Sequence, residues 1–423
     1  MVKKGYKQTE VGVLPEDWAI KKLINLSDGG MQNGTFYEGS RKGTGVYFLN
    51  VGNLYQAAPI IPQTLGKFDA SKDEIDRFRV KNGDLFFTRS SIVPSGIAYC
   101  NWYNDSGDNT TVFDSHVVRF KTDTDQVNPM YLYLQCVSQE SRKYFISNAK
   151  VATMTTIDQA QIGNCLIPVP SLTEQKNIAE AISDADRIIR LLEKLIIKKK
   201  AIKQGAMQEL LTGKRRLPGF SGKWQNFNLM KHSKIKARIG WQGLKKSEYL
   251  DSGYALLVTG TDFDDGKVQW DRCHYVTRSR YDQDRNIQIQ NNDILITKDG
   301  SLGKVALARG LTKPATLNSG IFVIRPLQSI YDPVFVYHIL SSFVFKNFLD
   351  KLSAGSTIIH LYQKDVDKFE FLLPPVIEEQ NAIAAVLSEM DADITALEEK
   401  LAKYRQVKQG MMQQLLTGKI RLT

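Results

Sequence analysis

The chain has few cysteines, no long apolar run and no spacing typical of a metal site. Its 423 residues include four cysteines, none in a CxxC pair, and five histidines that do not cluster at metal-ligand spacing. This pattern argues against a disulfide framework and against structural zinc. The opening MVKKGYKQTEVG lacks the apolar core of a secretory signal, and no run approaches the roughly 18 apolar residues that span a bilayer. We therefore expect a cytoplasmic protein.

The sequence also lacks the short motifs of common nucleotide-dependent and hydrolytic enzymes. The stretch from Gly300 to Lys304 is too short for a Walker A loop, and Val305 stands where that motif has Ser or Thr. There is no GxGxxG after a strand, no Asn/Asp-Pro-Pro-aromatic motif of adenine methyltransferases and no GxSxG elbow. Catalysis is expected on another protein, with a scattered active site in this chain as the alternative.

The sequence does contain a duplication. The segment KQGAMQELLTGKRRL, from Lys203 to Leu217, returns 205 residues later as KQGMMQQLLTGKIRL, from Lys408 to Leu422. Residues 170–217 and 375–422 align without a gap and share 23 of 48 positions. A period of this length indicates two whole modules rather than a solenoid. We predict four parts: large modules at 1–170 and 218–375, and repeated segments at 171–217 and 376–423.

Both repeated segments are predicted to be long helices. Their apolar residues alternate at spacings of four and three, the pattern of a coiled-coil seam. Ser171 with Glu174 predicts a capping box at the first start, and Gly213 and Gly418 predict left-handed helix ends. Each helix of about 40 residues would be roughly 60 Å long, and an antiparallel pair would bury both seams. The seams are Ile178, Ile182, Ala185, Ile189, Leu192 and Ile196, and Ile383, Leu387, Met390, Ile394, Leu397, Leu401 and Tyr404.

The two large modules have matching patterns of strands and helices. Buried strands are predicted at 45–52 and 82–88, with counterparts at 253–260 and 291–297, and further strands follow at 117–120 and 321–324. Asn128-Pro129 and Asp332-Pro333 predict the starts of matched helices at 130–147 and 334–352. The predicted fold class is mixed α/β. It comprises two α/β domains, two long antiparallel coiled-coil helices and a pseudo-twofold internal repeat.

The positive charge of the chain is unevenly distributed. The net charge is +11, of which residues 1–170 carry +1, 171–217 carry +5, 218–370 carry +6 and 371–423 carry −1. A basic protein of this size favours a polyanionic partner, because lysine and arginine displace counterions from phosphate. A solvated basic surface without a ligand is the alternative.

The duplicated modules, the LLTGK helix endings and the restart LPGFSGKW at 217–224 together resemble the specificity subunit of type I restriction-modification enzymes. The resemblance covers essentially the whole chain. It implies that each module is a target-recognition domain for one half of a bipartite double-stranded DNA target. The helices are then expected to set the spacing between the halves and to dock two modification subunits, which methylate adenine.

The same resemblance implies a division of labour among subunits. This chain is expected to be non-catalytic and to hold no cofactor or metal, with S-adenosylmethionine, ATP and Mg on partner subunits. The participation of two restriction subunits is left open. The unequal charge of the two helices, +5 against −1, suggests that the two docking surfaces differ.

Three loop regions of the modules are candidate DNA contacts. Amides that precede a glycine can bond the adenine edge bidentately, although such pairs also build turns. Cations after the predicted strands at 82–88 and 291–297 could bind phosphate or guanine, or be solvated. Polar segments at 150–156 and 356–360 could contact DNA or link domains. The candidates are Gln32, Asn33, Arg89, Lys150, Gln242, Lys298, Lys304 and His360.

The repeated helices supply candidate docking residues for the modification subunits. A glycine inside a helix costs about 1 kcal/mol relative to alanine, so the two internal glycines suggest close approach of a partner, or else an inherited residue without a role. Two wider alternatives are a coiled-coil scaffold with protein-binding modules, and a fused DNA methyltransferase or nuclease with unrecognised motifs. The docking candidates are Gly205, Met207, Leu211, Gly410, Met412 and Leu416.

Overall fold

The computed structural model of the chain describes residues 4–107, 109–353 and 360–423. It falls into two compact units, one formed by Met1–Glu193 with Lys400–Thr423 and the other by Lys194–Glu399. Each unit combines one large module with parts of both repeated segments, so the division into four separate parts stays a prediction. No helix in the described ranges is long and apolar enough to cross a membrane.

The first unit is built from short strands and short helices. Its strands are Tyr6–Thr9 (β1), Gly12–Pro15 (β2), Ala19–Lys22 (β3), Ser27–Asn33 (β4), Lys42–Leu49 (β5), Gly66–Phe68 (β6), Leu85–Thr88 (β7), Ser90–Ser91 (β8), Cys100–Trp102 (β9), Thr111–Phe113 (β10), Val117–Thr122 (β11), Lys150–Val151 (β12), Thr155–Thr156 (β13) and Leu166–Val169 (β14). Its short helices are Val51–Leu54 (α1), Lys72–Phe78 (α2), Pro129–Cys136 (α3), Gln139–Ser147 (α4) and Gln159–Gly163 (α5).

The central sheet of the first unit has the order β4-β11-β7-β9, and each neighbouring pair is antiparallel. Smaller sheets have the orders β10-β5-β6 and β12-β13-β8. In β7, Leu85 and Phe87 lie in one core cluster and Phe86 in another. Both faces of this strand are therefore buried, which explains why its sequence is continuously apolar rather than alternating.

The second unit repeats this arrangement, and its main sheet has more strands. Helix α6 (Leu172–Leu210) leads into it. The strands are Gln225–Asn228 (β15), Ser233–Lys236 (β16), Ala255–Val258 (β17), Phe263–Asp264 (β18), Lys267–Val268 (β19), His274–Val276 (β20), Ile294–Thr297 (β21), Val305–Leu307 (β22), Ala315–Leu317 (β23), Ile321–Pro326 (β24) and Glu370–Leu373 (β25). The helices are Arg278–Asp282 (α7), Pro333–Leu340 (α8), Phe343–Ser353 (α9), Gln363–Val366 (α10) and Ile377–Leu415 (α11).

The main sheet of the second unit has the order β16-β24-β21-β22-β19-β18, and β20-β17-β23 forms a second sheet. Strand β21 corresponds to β7: Ile294 and Ile296 lie in one core cluster and Leu295 in another. The predicted strands at 82–88, 117–120, 291–297 and 321–324 are thus confirmed over most of their length as β7, β11, β21 and β24. The mixed α/β class with an internal repeat is confirmed as well.

The repeated segments form helices α6 and α11, each of 39 residues. The two helices run antiparallel within each unit: residues later in α6 pair with residues earlier in α11. All six predicted seam residues of α6 are at most 9% exposed. The first five lie in the first unit, and Ile196 lies in the second. Cross-helix ion pairs are Asp186–Lys408 and Glu193–Arg405 in the first unit, and Lys199–Asp393 and Lys200–Glu398 in the second.

The unequal charge of the two helices has a structural explanation in the second unit. There the lysines of α6 face carboxylates of α11: Lys199 lies 2.9 Å from Asp393, and Lys200 lies 2.7 Å from Glu398. Hydrogen bonding to Glu398 raises the pKa of Lys200. These pairs are largely exposed and contribute little to stability, but like charges at the same positions would repel.

The predicted helices at 130–147 and 334–352 are each broken into two, which corrects the prediction. Ser138 is extended and its hydroxyl accepts a hydrogen bond from the Ser141 N–H, so it ends α3 and caps α4. The Ser342 hydroxyl accepts from the Val344 N–H between α8 and α9. A serine that bonds nearby backbone competes with helix continuation. The predicted starts are confirmed, because Asn128 and Asp332 cap α3 and α8.

The end of α11 packs on the tryptophan of the first module. The guanidinium of Arg421 lies 5.7 Å from the Trp18 ring centroid and donates to Glu174 at 2.6 and 2.8 Å. It also donates to Asp17, and these bonds raise the pKa of Arg421 and lower that of Asp17. Glu174 is 1% exposed and accepts from Trp18 Nε1 at 3.2 Å as well. The predicted capping box is therefore half right: Ser171 caps Glu174, but the carboxylate binds elsewhere.

The end of α6 packs on the second module in the same way. Arg216 lies 5.7 Å from the Trp224 ring centroid and donates to Glu379, which is 1% exposed. Unlike its counterpart, Trp224 Nε1 is buried without a hydrogen-bond partner among the described residues. The predicted left-handed helix ends are confirmed at Gly213 and Gly418, with φ of 70° and 65°. A Cβ on Gly418 would come within 2.5 Å of Pro15.

Candidate nucleic-acid interface

A small sheet at one edge of the first module brings two predicted regions together. Strand β13 pairs with β8 and with β12, so that Thr156 lies opposite Ser90 and Lys150. The Ile157 N–H continues this ladder by donating to the Arg89 carbonyl at 3.1 Å. Arg89 and Lys150 are both exposed. Two cations 61 residues apart in sequence thus occupy one surface, where they can bind phosphate.

The loop that carries Arg89 is held by the side chain of Thr88. This buried hydroxyl donates to the Gly96 carbonyl at 2.7 Å and accepts from the Tyr99 N–H at 2.9 Å. Arg142 donates from its two terminal nitrogens to the carbonyls of Ala98 and Ser95 at 2.7 and 2.9 Å. The loop backbone is therefore fixed from inside the module, and its outer side chains are presented in a defined position.

The second module has the same anchor with a shorter loop. The Thr297 hydroxyl donates to the Ser301 carbonyl and accepts from the Lys304 N–H. The Leu361 N–H donates to the Lys298 carbonyl at 3.0 Å, as Ile157 does to Arg89 in the first module. Of the predicted segment 356–360, residues 356–359 lie outside the described residues. The loop after β21 is thus the structural counterpart of the loop after β7.

The two predicted cations of the second module, Lys298 and Lys304, and the polar candidate His360 have different surroundings. Lys304 is exposed, whereas Lys298 is half-buried with its ammonium 5.5 Å from the Phe322 ring centroid. His360 lies with its Nδ1 against the Asp299 carboxylate. An ammonium over an aromatic face is already partly satisfied. Of the three, Lys304 is the cation best placed to meet phosphate.

Lys304 lines an open cleft of about 570 Å³ in the second module. Most of the lining consists of small neutral donors and acceptors, with one carboxylate and one lysine. Hydroxyl, amide and backbone N–H groups are the usual partners of the sugar-phosphate chain. The cleft is therefore suited to a polar, extended ligand. Its lining includes Thr259, Thr261, Thr297, Asp299, Ser301, Lys304, Asn318 and Ser319.

The predicted amides of the first module are engaged with the module itself. Gln32 lies on β4, is partly buried and donates to the Arg77 carbonyl at 3.1 Å. Asn33 accepts from the Gln159 side chain at 3.0 Å. Gly34 is not in a turn: a Cβ there would lie 1.9 Å from the Phe113 carbonyl oxygen. The glycine is required by close packing, and the amides have partners that DNA would have to replace.

The predicted amide of the second module is not equivalent to those of the first. Register places Met31 opposite Phe120 and Ile235 opposite Ile324, so Gln242 lies beyond the strand, in a 3-10 turn over 240–242. Its side chain is 6% exposed, and its Oε1 has no hydrogen-bond partner among the described residues. The amides of the two modules are therefore not structural equivalents. The sequence match failed because local spacing does not record where the strand ends.

A basic cleft of about 520 Å³ in the first module was missed by the sequence analysis. Its cations come from the run RFRVK at 77–81 and from β11, which pairs with β7. The run was a visible signal, but its meeting with β11 depends on sheet register. The charged residues of the lining are Arg77, Arg79, Lys81, Arg119 and Lys121, with Asp76 and Asp105. Of these, Arg119 is paired with buried Asp84.

The predicted docking residues separate into two groups. Among them, Met207, Leu211 and Leu416 are at most 8% exposed and belong to the cores of their units, and Met412 packs against such a core. Met412 is half-buried, so its docking role stays a prediction. Met207, Leu211 and Leu416 contact the chain itself and are corrected as docking residues. Their apolar pattern reflected a helix end that packs on a module. Gly205 and Gly410 differ, because a Cβ at either position would have no atom within 4 Å.

The described residues offer no metal site: no group of three His, Cys, Asp or Glu side chains among them could hold an ion. The four cysteines are free and buried. Burial raises the pKa of the Cys165 and Cys273 thiols to about 12. These cysteines pack as small apolar residues.

Comparison with known proteins identifies the family. Residues 15–200 and 239–408 each match the type I restriction modification DNA specificity domain. A Methanocaldococcus jannaschii protein assigned as the type I restriction enzyme MjaX specificity subunit is 25% identical over 429 residues, covering 99% of this chain and 97% of its own length. The Escherichia coli EcoBI specificity subunit is 22% identical, with 84% and 82% covered.

A solved structure has the same fold. The S subunit of the type I restriction-modification system from M. genitalium superposes with a TM-score of 0.61 at 15% identity, and the match covers 94% of this chain and 96% of that one. One domain match lies largely in each compact unit. Since the two matches together span well over half of the sequence, the chain belongs to the type I restriction-modification DNA specificity family, that of the non-catalytic specificity subunits.

Proposed function

We propose that this chain selects the DNA target of a type I restriction-modification enzyme, with each module reading one half of a bipartite sequence. The double occurrence of the DNA specificity domain, at residues 15–200 and 239–408, carries the proposal. Two DNA specificity domains in one chain are expected to bind a target sequence that has two parts. Methyl transfer to adenine then takes place on a modification subunit, and the ligand, chromosomal DNA, puts the protein in the cytoplasm.

The DNA-contacting edge of each module is proposed to be the threonine-anchored loop after β7 or β21. In the first module Arg89 and Lys150 stand exposed on one small sheet. In the second, Lys304 stands at the rim of a cleft rich in hydroxyl and amide groups. Phosphate contacts position a protein on the duplex, and groups aimed at base edges supply the choice of sequence. Lys298 and His360 act as supports of the second loop, through Phe322 and Asp299.

The long helices are proposed to dock two modification subunits, one for each module. Gly205 and Gly410 leave room for a close approach to the helix backbone. Large exposed apolar side chains also lie on α6, including Leu191 in the first unit and Ile202 in the second, at 56% and 49% exposure. Unpaired apolar surface of this kind marks protein contacts. Restriction subunits, ATP and Mg belong to the complete enzyme and have no surface proposed on this chain.

Mapping of methylated adenines tests the proposal. Genomic DNA from cells with and without this chain is compared, with the modification subunit present in both. We expect one bipartite motif to lose methylation when the chain is absent. Replacement of Arg89 and Lys150 by alanine should lower methylation of the motif without altering its sequence, because phosphate contacts position the protein and do not select bases. S-adenosylmethionine binding by the isolated chain, or methylation unaffected by its removal, would contradict a non-catalytic specificity role.

A further inference from the structure

The loop after β7 carries an apolar tip that the fold of the module does not use. Ile92 is 85% exposed and the adjacent Val93 is 54% exposed. In the same small sheet β13 pairs with both β8 and β12. On β12, Val151 is 70% exposed, and Met154 between β12 and β13 is 46% exposed. Single exposed apolar residues are ordinary, but four in two paired segments form a surface that marks a binding site.

The tip is rigidly supported. The backbone on its C-terminal side is fixed by Thr88, by Arg142 and by the Tyr55 hydroxyl, which donates to the Gly96 carbonyl at 3.1 Å. A Cβ on Gly96 would lie 2.3 Å from the Ser91 hydroxyl. The N-terminal side is fixed by pairing of β8 with β13. A flexible loop could turn its isoleucine toward the module, whereas this one keeps Ile92 exposed to water. That exposure is unfavourable for an apolar side chain, and a ligand that covers Ile92 would remove it.

The second module provides an internal comparison. In each module the loop is bounded by the anchoring threonine and by the residue whose N–H donates to the threonine hydroxyl. These bounds are Thr88 and Tyr99 in the first module and Thr297 and Lys304 in the second. The first loop is therefore four residues longer. In the shorter loop the apolar residue, Leu302, is partly buried against the core. The exposed pair Ile92-Val93 is thus an addition to the common plan and not a requirement of it.

The chemistry around the tip favours DNA over protein as the occupant. Segments 88–98 and 148–157 contain Arg89 and Lys150 and no aspartate or glutamate. Cations at the rim bind phosphates, and apolar side chains between them can contact thymine methyl groups or enter a base step and unstack it. We infer that Ile92, Val93 and Val151 form an apolar wedge that contacts the bases of the half-site read by the first module. This inference rests on the proposed function.

The test uses the complex of the full chain with its modification subunit and duplexes that carry the mapped target. Ile92→Ser and Val151→Ser remove apolar surface at highly exposed positions, so the fold should be retained, and thermal unfolding checks this. Ile92→Leu preserves the apolar contact. Leu327→Ser removes an apolar side chain of 57% exposure in the second module and serves as the matched control.

We expect Ile92→Ser to raise Kd for the target duplex about 10-fold, with Ile92→Leu and the control near wild type and binding of non-target duplex unchanged. Two probes in the first half-site distinguish the modes of contact. If the fluorescence of 2-aminopurine placed in the half-site rises when the wild-type complex binds, but not when the Ile92→Ser complex binds, the base step is opened by Ile92. Sensitivity to thymine-to-uracil replacement, lost in Ile92→Ser, shows a contact with methyl groups. Either result supports the wedge.

Wild-type Kd for Ile92→Ser and Val151→Ser, in samples where Arg89→Ala still weakens binding, would overturn the wedge and leave the proposed function standing. Loss of the modification subunit from the complex of either serine variant would also overturn it, because the tip would then be a protein contact. Failure of the wild-type complex to prefer the bipartite duplex would instead refute the proposed function itself.

Discussion

The arginines that join the helix ends to the modules allow a prediction with an internal control. Arg216 and Arg421 are repeat equivalents, and each neutralises a carboxylate that is 1% exposed, Glu379 or Glu174. Removing one partner of a buried ion pair leaves the other charge uncompensated and costs about 3 to 5 kcal/mol. Arg216→Ala should destabilise the junction in the second unit by about this amount.

Arg421→Ala should cost less. Glu174 keeps a second donor, Trp18 Nε1 at 3.2 Å, whereas Trp224 Nε1 has no partner among the described residues and gives Glu379 no such support. A hydrogen bond to a charged group contributes about 1.5 to 3 kcal/mol. The lost bonds from Arg421 to Asp17 add little, because that carboxylate is 65% exposed. We expect the two substitutions to differ by about 2 kcal/mol.

Hydrogen exchange followed by mass spectrometry measures the difference locally, which avoids the assumption that a protein of two units unfolds in one step. Peptides that cover residues 172–182 report on the first junction, and peptides that cover 377–387 report on the second. Glu174→Gln combined with Arg421→Ala should recover most of the loss, because a neutral amide can remain buried without a cation. Equal losses at the two junctions, or a larger loss for Arg421→Ala, would refute the role assigned to Trp18.

Three further predictions concern spacing, DNA affinity and pH. Inserting four residues after both Lys194 and Glu399, one helical turn in each helix, should lengthen the unspecified gap of the methylation motif, and an unchanged gap would refute the spacer role. Lys304→Ala should weaken binding to all duplexes and lower the slope of log K against log salt by about 1, without altering the motif. Burial lowers the pKa of His338 to about 3 from an ordinary value of 6.5. The unfolded state therefore binds the extra proton, and His338 should cost the second unit roughly 1.4 kcal/mol of stability per pH unit as pH falls from about 6.5 to about 3. His338→Leu should remove this contribution to acid unfolding.

The helices and buried strands were predictable because their signals are local. A seam at spacings of four and three identifies a long helix wherever it lies, and Ile178 through Ile196 are buried as that spacing requires. The repeat also aligned the anchoring threonines, since Thr88 and Thr297 each end a buried strand. The apolar pattern of a strand and the cap of a helix each depend on a few residues that are close together in the sequence.

Parts of the candidate site were not predictable because they depend on pairing between distant segments. Lys150 joins Arg89 only through β13, and the RFRVK run meets β11 only through sheet register. The burial of Gln242 follows from where β16 ends. Amphipathic pattern alone also could not tell a helix face that docks a partner from one that docks its own module, which is why Leu211 and Leu416 were assigned to the wrong surface.

The contrast between conserved anchors and divergent loops explains how one chain can hold two different readers. The threonine that fixes the loop, the ladder bond from Ile157 or Leu361 and the arginine at the helix end recur in both units. Between those fixed points the loop differs in length by four residues and in chemistry, apolar in the first module and hydrophilic in the second. Because the anchoring threonines are buried and the variable residues are largely exposed, the loop can change its exposed side chains at almost no cost in folding stability. A target of two unlike halves is the expected product of such a fold.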